Sequence, residues 1–206
     1  VVDDLGCGAI VPLEKYGLPH EVTVRESLAS GSDIALFSTD KLIGGPQGGM
    51  IVGRKDLIEK IRKQALYRAL RVCKMTLAAL EATLRLFRAP ELLIEKHPIY
   101  RMLGKSQKEI GMQAGQLATT ISAARPDWTV SVVQTITYLG GGSLPGAELP
   151  SFAVKISSPE LPAEAISRMF RLAAVPVIPH IKEDGVMLDM RTVSADEVHY
   201  IVEAVS

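Results

Sequence analysis

One lysine in this chain stands where its amine could do chemistry. It lies in the run Phe37-Ser38-Thr39-Asp40-Lys41-Leu42-Ile43-Gly44-Gly45-Pro46-Gln47-Gly48-Gly49. A short apolar strand, Ile34 to Phe37, leads into a Ser/Thr/Asp turn, then Lys41, then a Gly/Pro loop. A desolvated lysine gives up its proton readily, so an amine held at a strand end beside such a loop can be offered to a carbonyl group. The run is not a phosphate-binding loop of the Gly-x-x-x-x-Gly-Lys-Ser/Thr kind. Here the lysine precedes the glycines and a strand follows them.

Two other groups of residues bear on Lys41. Asp3-Asp4 follow Val1-Val2 at what reads as the end of a buried strand, about 37 residues before the lysine. In pyridoxal-phosphate enzymes a carboxylate faces the pyridine nitrogen and keeps the ring protonated as an electron sink. A strand-end Asp followed by a strand-end Lys is the order of the large aspartate-aminotransferase-like fold. The second group is Arg68 and Arg71, three apart. On a helix they would share a face and could fork onto an oxyanion.

The elements that must position these residues follow from pattern. The chain of 206 residues is 47% hydrophobic and 5% aromatic, with zero formal net charge. Its apolar content is Leu, Ile, Val and Ala, the usual α/β mixture. No apolar run reaches the roughly 20 residues of a membrane span, no signal peptide is visible, and a cytoplasmic protein is expected. Cys7 and Cys73 form no Cys-x-x-Cys pair and read as free thiols. The four histidines are scattered, with no metal-ligand spacing. Between Arg54 and Lys74 lie eight basic residues and two acidic ones, which suits a solvated helix face or an anion-binding surface.

The first part alternates strand, loop and helix: a helix over Val24–Ala29, strands over Ile34–Phe37 and Gly49–Val52, helices over Asp56–Ala65 and Thr76–Arg88. In the last of these, Leu77, Leu80, Leu84 and Phe87 recur at helical spacing as a core stripe, and Glu81 and Arg85 are placed for an i,i+4 pair. Pro90 stops that helix, and Glu91–Lys96 is a further short one. Arg101 to Ala124 reads as one long connecting helix interrupted near Gly111 and Gly115. Trp128–Thr137 is β-rich, 140–143 is a loop, and Ser151–Ile156 a strand. Pro162–Ala173 is an amphipathic helix, Val175–Ile178 and Val186–Asp189 are strands, and Ala195–Val205 is a terminal helix. The β-β-α-β-β-α order predicts a small α+β domain with helices on one face of an antiparallel sheet.

These residues carry a resemblance. Asp4-Leu5-Gly6-Cys7-Gly8 (with Cys7 where the family usually has Ser), Tyr16-Gly17-Leu18-Pro19, Asp40 through Gly49, Arg68 through Leu86 and Leu188 through Val193 together resemble bacterial selenocysteine synthase, the L-seryl-tRNA(Sec) selenium transferases. The resemblance spans essentially the whole chain. It implies an α/β fold of the fold-type I pyridoxal-phosphate-dependent transferases. Residues 1–100 would be the second half of the large cofactor-binding domain, 101–125 a linking helix and 126–206 a small α+β carboxyl-terminal domain.

The resemblance also implies roles. Lys41 would carry pyridoxal 5'-phosphate as a Schiff base and act as general base at Cα. Asp4, or Asp3 one residue away, would face the pyridine nitrogen. Gly44 and Gly45 would let backbone approach the cofactor. Arg68 and Arg71 would hold selenophosphate. Seryl-tRNA(Sec) would lose its hydroxyl to leave an aminoacrylyl group, and selenium would add to give selenocysteinyl-tRNA(Sec). Arg191 would be either a carboxylate ligand or a structural residue. Homo-oligomers with sites at a dimer boundary are implied, and no membrane. The family's polypeptide is more than twice this length, so the resemblance marks this chain as an incomplete fragment, inactive alone. The alternative is another fold-type I lyase or aldolase acting on free amino acids.

Overall fold

A computed structural model describes residues 1–140, 144 and 146–205. The chain divides into two compact units. The first comprises Val1–Gly104 with Tyr138–Ala147, and the second Lys105–Thr137 with Glu148–Ser206.

The first unit is built on a three-stranded sheet in the order β1 (Val2–Gly6), β2 (Ile34–Ser38), β3 (Gly49–Gly53). β1 and β2 are parallel, and the crossover between them contains helix α1 (Val24–Ala29), as parallel neighbours require. Thr23 caps α1: its hydroxyl accepts from the Glu26 amide while the Glu26 carboxylate accepts from the Thr23 amide. β3 returns antiparallel to β2, with Phe37 opposite Met50 and Ser38 opposite Gly49. The expected ranges of α1, β2 and β3 hold to within a residue. β1 departs from expectation: Val2 is 65% exposed, and Asp3 and Asp4 lie within the strand rather than at its end.

The basic segment forms α2 (Lys55–Arg62) and a separate short helix, α3 (Ala65–Leu70). α4 (Lys74–Leu86) follows, then α5 (Leu93–Lys96) and α6 (Pro98–Gly104). The expected stripe on α4 divides. Leu80, Leu84 and Phe87 pack with Phe37 and Ile43, while Leu77 is exposed. Glu81 and Arg85 form the expected ion pair at 2.6 Å.

In the second unit, α7 (Gln107–Ala124) lies over a sheet in the order β4 (Thr129–Tyr138), β5 (Glu148–Ser157), β7 (Gly185–Asp189), β6 (His180–Lys182), with α8 (Ala163–Arg171) and α9 (Val198–Glu203). β5–β7 and β7–β6 are antiparallel. Ile110, Leu117 and Ile121 of α7, Ile166 and Phe170 of α8, and Ile201 of α9 share one core with Val154, Ile156, Val186 and Leu188 of the sheet. The β-β-α-β-β-α order is therefore as expected.

Two expectations fail here. The stretch 101–124 is not one helix broken at Gly111 and Gly115. The break falls at Lys105-Ser106, where Ser106 and Glu109 form a capping box, and α7 runs unbroken through both glycines. Gly111 sits against the Phe152 ring, so packing rather than propensity decides that position. Val175–Ile178 is not a strand. Pro176 and Pro179 supply no amide for a ladder, and the Val177 amide donates instead to the Phe170 carbonyl at 2.9 Å. The strand forms after them, and its two-residue turn onto β7 puts Glu183 and Asp184 in the left-handed conformation of a type I′ hairpin. Of the loop expected at 140–143, residues 141–143 lie outside the described residues.

Candidate functional site

Lys41 occupies the turn that leaves the carboxyl end of β2. Ligands of open α/β sheets bind outside the carboxyl ends of parallel strands; the parallel β1 carries Asp4 at its middle, opposite Leu36 in the register. Thr39 organises the turn. Its amide donates to the Gly48 carbonyl at 3.0 Å and its hydroxyl to the Pro46 carbonyl at 2.6 Å, and its own carbonyl accepts from the Gly45 amide at 2.8 Å. The Gly44 amide donates to the Lys41 carbonyl at 2.9 Å, closing a tight turn whose central residues, Leu42 and Ile43, are buried. Lys41 is thus a half-buried residue on a fixed corner. Its amine has no hydrogen-bond or ion-pair partner among the described residues.

The glycines after it are explained by packing inside the unit. Gly44 has φ +64, and a Cβ there would lie 2.6 Å from His97 Cε1. A Cβ on Gly45 would lie 3.1 Å from Leu80 and 3.2 Å from the Thr39 carbonyl oxygen. The close approach expected of a ligand at these two positions is made by the protein's own groups. Gly8, in the loop after β1, has φ +70 and sits against the Ser38 carbonyl and the Phe37 ring, which brings the ends of β1 and β2 together.

The two aspartates separate cleanly. Asp3 is half-buried and accepts a hydrogen bond from Ser27 of α1. Asp4 is exposed, and its one contact among the described residues is the Gly6 amide at 3.2 Å. Residues of a strand alternate between its faces, so only one of the two carboxylates is free. Cys7 is a free, buried thiol that donates to Glu21 at 3.0 Å. Burial first, and the Glu21 carboxylate second, push this thiol up to about 11.

Arg68 and Arg71 do not share a helical face. Arg68 lies in the last turn of α3, but Arg71 is its extended cap residue, at φ −61 and ψ 139. Both are exposed, and neither guanidinium has an ion-pair partner among the described residues. The large apolar residues near them are exposed too, Leu70 at 73% and Met75 at 72%.

Arg191, in the second unit, is 4% exposed. Its guanidinium donates to the Pro150 carbonyl at 2.7 Å and the Lys105 carbonyl at 3.2 Å, and its amide donates to Asp189 at 3.0 Å. It is a structural residue rather than a free carboxylate ligand. Asp189 also accepts from Thr137 and, at 2.6 Å, from Ser151.

Sequence reasoning did not find His97, which lies 54 positions from Ile43 and places its Nε2 2.9 Å from the Ile43 carbonyl. No local pattern links residues so far apart. The glycine at position 44, where a side chain would meet the imidazole, was the available signal that something presses on the turn.

The residues present suit pyridoxal phosphate: an uncommitted amine at the end of β2 and an uncommitted carboxylate on the adjacent parallel strand. No group of three or more His, Cys, Asp or Glu among the described residues could hold a metal ion. No described helix is long and apolar enough to cross a membrane.

The fold is that of the fold-type I pyridoxal-phosphate enzymes, present in part. D-Glucosaminate-6-phosphate ammonia-lyase shares it with a TM-score of 0.53 and 19% identity, over 98% of this chain and 47% of that one. An L-seryl-tRNA(Sec) selenium transferase of Clostridium botulinum (strain Hall) is 40% identical over 203 residues, 98% of this chain and 44% of its own length. A namesake from Hyphomonas neptunium is 43% identical over 204 residues, 99% of this chain and again 44% of its own. The chain therefore spans less than half the length of these curated relatives. The family model for L-seryl-tRNA selenium transferase matches residues 1–194. With the Lys41 turn and the free Asp4 inside the matched region, the chain belongs to the L-seryl-tRNA selenium transferase family.

Proposed function

We propose that the protein containing this chain converts seryl-tRNA(Sec) to selenocysteinyl-tRNA(Sec), with selenophosphate as donor and pyridoxal 5'-phosphate as cofactor. The observation that carries the reading is the uncommitted Lys41 amine at the end of β2, beside the strand bearing Asp4, in a chain of this family.

Pyridoxal phosphate, when bound, supplies an aldehyde for amines and a protonated ring that draws electrons from Cα. Lys41 is the point of attachment. The Lys41 amine, when not attached to the cofactor, would remove the Cα proton. Asp4 would face the pyridine nitrogen and hold its proton, since Asp3 is occupied by Ser27. The seryl hydroxyl would leave as water, selenium would bond to Cβ, and water would cleave the Se–P bond of the donor to release phosphate. Arg68 and Arg71 hold the oxyanion of the donor from an α3 end and its extended cap, two separate directions rather than one face. The exposed Leu70 and Met75 beside them support a homo-oligomer in which a second copy covers this surface. Domain roles follow the same reading, with the first unit the cofactor-binding part and the second the small carboxyl-terminal domain. A free amino acid as substrate would need a carboxylate partner, and the engagement of Arg191 with carbonyls counts against that alternative.

The test uses the full-length protein. Cofactor absorbance is recorded with and without Lys41→Ala, and selenium transfer to seryl-tRNA is assayed beside turnover of free serine and cysteine. The expected result is absorbance and transfer in the parent, and neither in the variant. Turnover of free amino acids with no reaction on seryl-tRNA would overturn the substrate, and unchanged absorbance in Lys41→Ala would overturn the site.

A further inference from the structure

We infer that His97 is a positioning residue for Lys41, acting through the carbonyl of Ile43; the inference rests on the assignment of Lys41 above. A carbonyl can only accept, so at 2.9 Å the His97 Nε2 carries the proton and donates it. The imidazole is 1% exposed. It is held edge-on between Phe87 and Tyr100, at centroid distances of 5.5 and 5.0 Å, and its own amide donates to Leu93 at 2.9 Å. His97 ends α5 immediately before Pro98 begins α6, so two helices and an aromatic cluster fix the donor before it meets the turn.

The turn has few other restraints on that side. Leu42 is tied to the Cys7 carbonyl at 3.3 Å, Gly44 to Lys41 and Gly45 to Thr39. Ile43 is the residue whose outward carbonyl, left buried and unpaired, would cost the turn its conformation. His97 also explains Gly44. The imidazole occupies the space a side chain would need, so the left-handed glycine and the histidine form one device that sets the direction in which the Lys41 corner faces.

The test compares His97→Phe, which keeps the ring packing but not the donor, with His97→Gln, which returns an N–H at similar reach. Two readouts are taken on the full-length protein. Amide hydrogen exchange of Gly44 and Gly45, without added cofactor, reads the turn. Borohydride trapping of pyridoxal phosphate on Lys41, read as a peptide mass, reads the amine. His97→Phe is expected to speed exchange about tenfold and lower trapping by a similar factor, the size of one lost hydrogen bond. Exchange in β5 and β7 should not change, and His97→Gln should recover most of both losses. If His97→Phe melts early, Gly44→Ala supplies the second arm, since its Cβ must displace the imidazole and should reproduce the local exchange. Exchange at Gly44 and Gly45 that matches the parent in His97→Phe or Gly44→Ala overturns the inference. So does a His97→Gln variant as impaired as His97→Phe. Absence of trapping on Lys41 in the unmutated protein would instead overturn the assignment of Lys41, while the exchange arm still decides whether His97 holds the turn.

Discussion

One cluster of charged residues in the second unit and one set in the first are treated in opposite ways. In the second, Arg191, Asp189 and Lys105 are drawn inside and consumed by the architecture. Arg191 serves the carbonyls of Pro150 and Lys105, Asp189 gathers Thr137, Ser151 and the Arg191 amide, and the Lys105 amine donates to the carbonyls of Met190, at 2.9 Å, and Val193. Burial, and then the neighbouring Arg191, pull the Lys105 ammonium below its usual range. In the first unit, Lys41 just past the end of β2, Asp4 in the middle of β1, and Arg68 and Arg71 at the end of α3 have no ion-pair partner among the described residues. Buried polar groups are satisfied by the protein itself, and charged groups left unmatched are the candidates for a ligand, the role proposed above for these four.

The strongest challenge to this contrast exchanges the two losses. Lys41→Ala should abolish cofactor attachment and selenium transfer while leaving the melting temperature unchanged. Arg191→Ala should do the reverse. It removes a buried side chain and leaves two carbonyls without their donor, which should cost about 3 kcal/mol, read as a lower denaturant midpoint, while borohydride still traps cofactor on Lys41 under folding conditions. Comparable stability losses from both would erase the distinction.

The next test divides adjacent residues. Asp3→Ala removes the acceptor of Ser27 and should cost about 1 kcal/mol, with little effect on the reaction. Asp4→Ala touches only the Gly6 amide, so its stability should stay within about 0.5 kcal/mol of the parent, while turnover falls at least tenfold as the ring proton is lost. Stability is measured by denaturation and turnover by selenium transfer. The reversed pattern would move the cofactor's partner to Asp3.

What could be read from the chain, and what could not, follows the range of the forces involved. α1 and β2 were legible because Thr23-x-x-Glu26 and the run Ile34–Phe37 are local signals. The capping box at Ser106 and Glu109 was equally local, but Gly111 and Gly115 drew the expected break elsewhere, since glycine is a poor helix former in isolation. The β-branched run at Val175–Ile178 misled because two prolines outweigh propensity. At the site, Lys41 was visible as a residue just past a strand end, whereas Asp4 lies in the middle of β1 rather than at its end. That Asp3 bonds to another element and Asp4 does not depends on Ser27, 24 positions from Asp3, and the bond to the Ile43 carbonyl depends on His97, 54 positions away. Contacts at such separation leave no period in the sequence.

The smallest effect separates the two thiols, and it extends the contrast between satisfied and unmatched groups to neutral side chains. Cys7 is buried against Glu21, and its thiol is pushed up to about 11 from an ordinary 9.0. Cys73 is exposed at the start of α4, and hydrogen bonds, first from the Thr76 hydroxyl and then from the Thr76 and Met75 amides, lower it. Alkylation proceeds through the thiolate, so iodoacetamide at pH 8 should modify Cys73 well before Cys7, as read by peptide mass. The sign for stability runs from the same shift. The folded chain holds the Cys7 proton at pH values where the unfolded chain has lost it. That contribution is complete below about pH 9 and fades as pH rises toward about 11. Cys7→Ala should therefore lose less stability than the parent between those two pH values. Equal slopes, or Cys7 alkylated as fast as Cys73 in the folded protein, would show that the Cys7 thiol is not held by Glu21 as the structure has it.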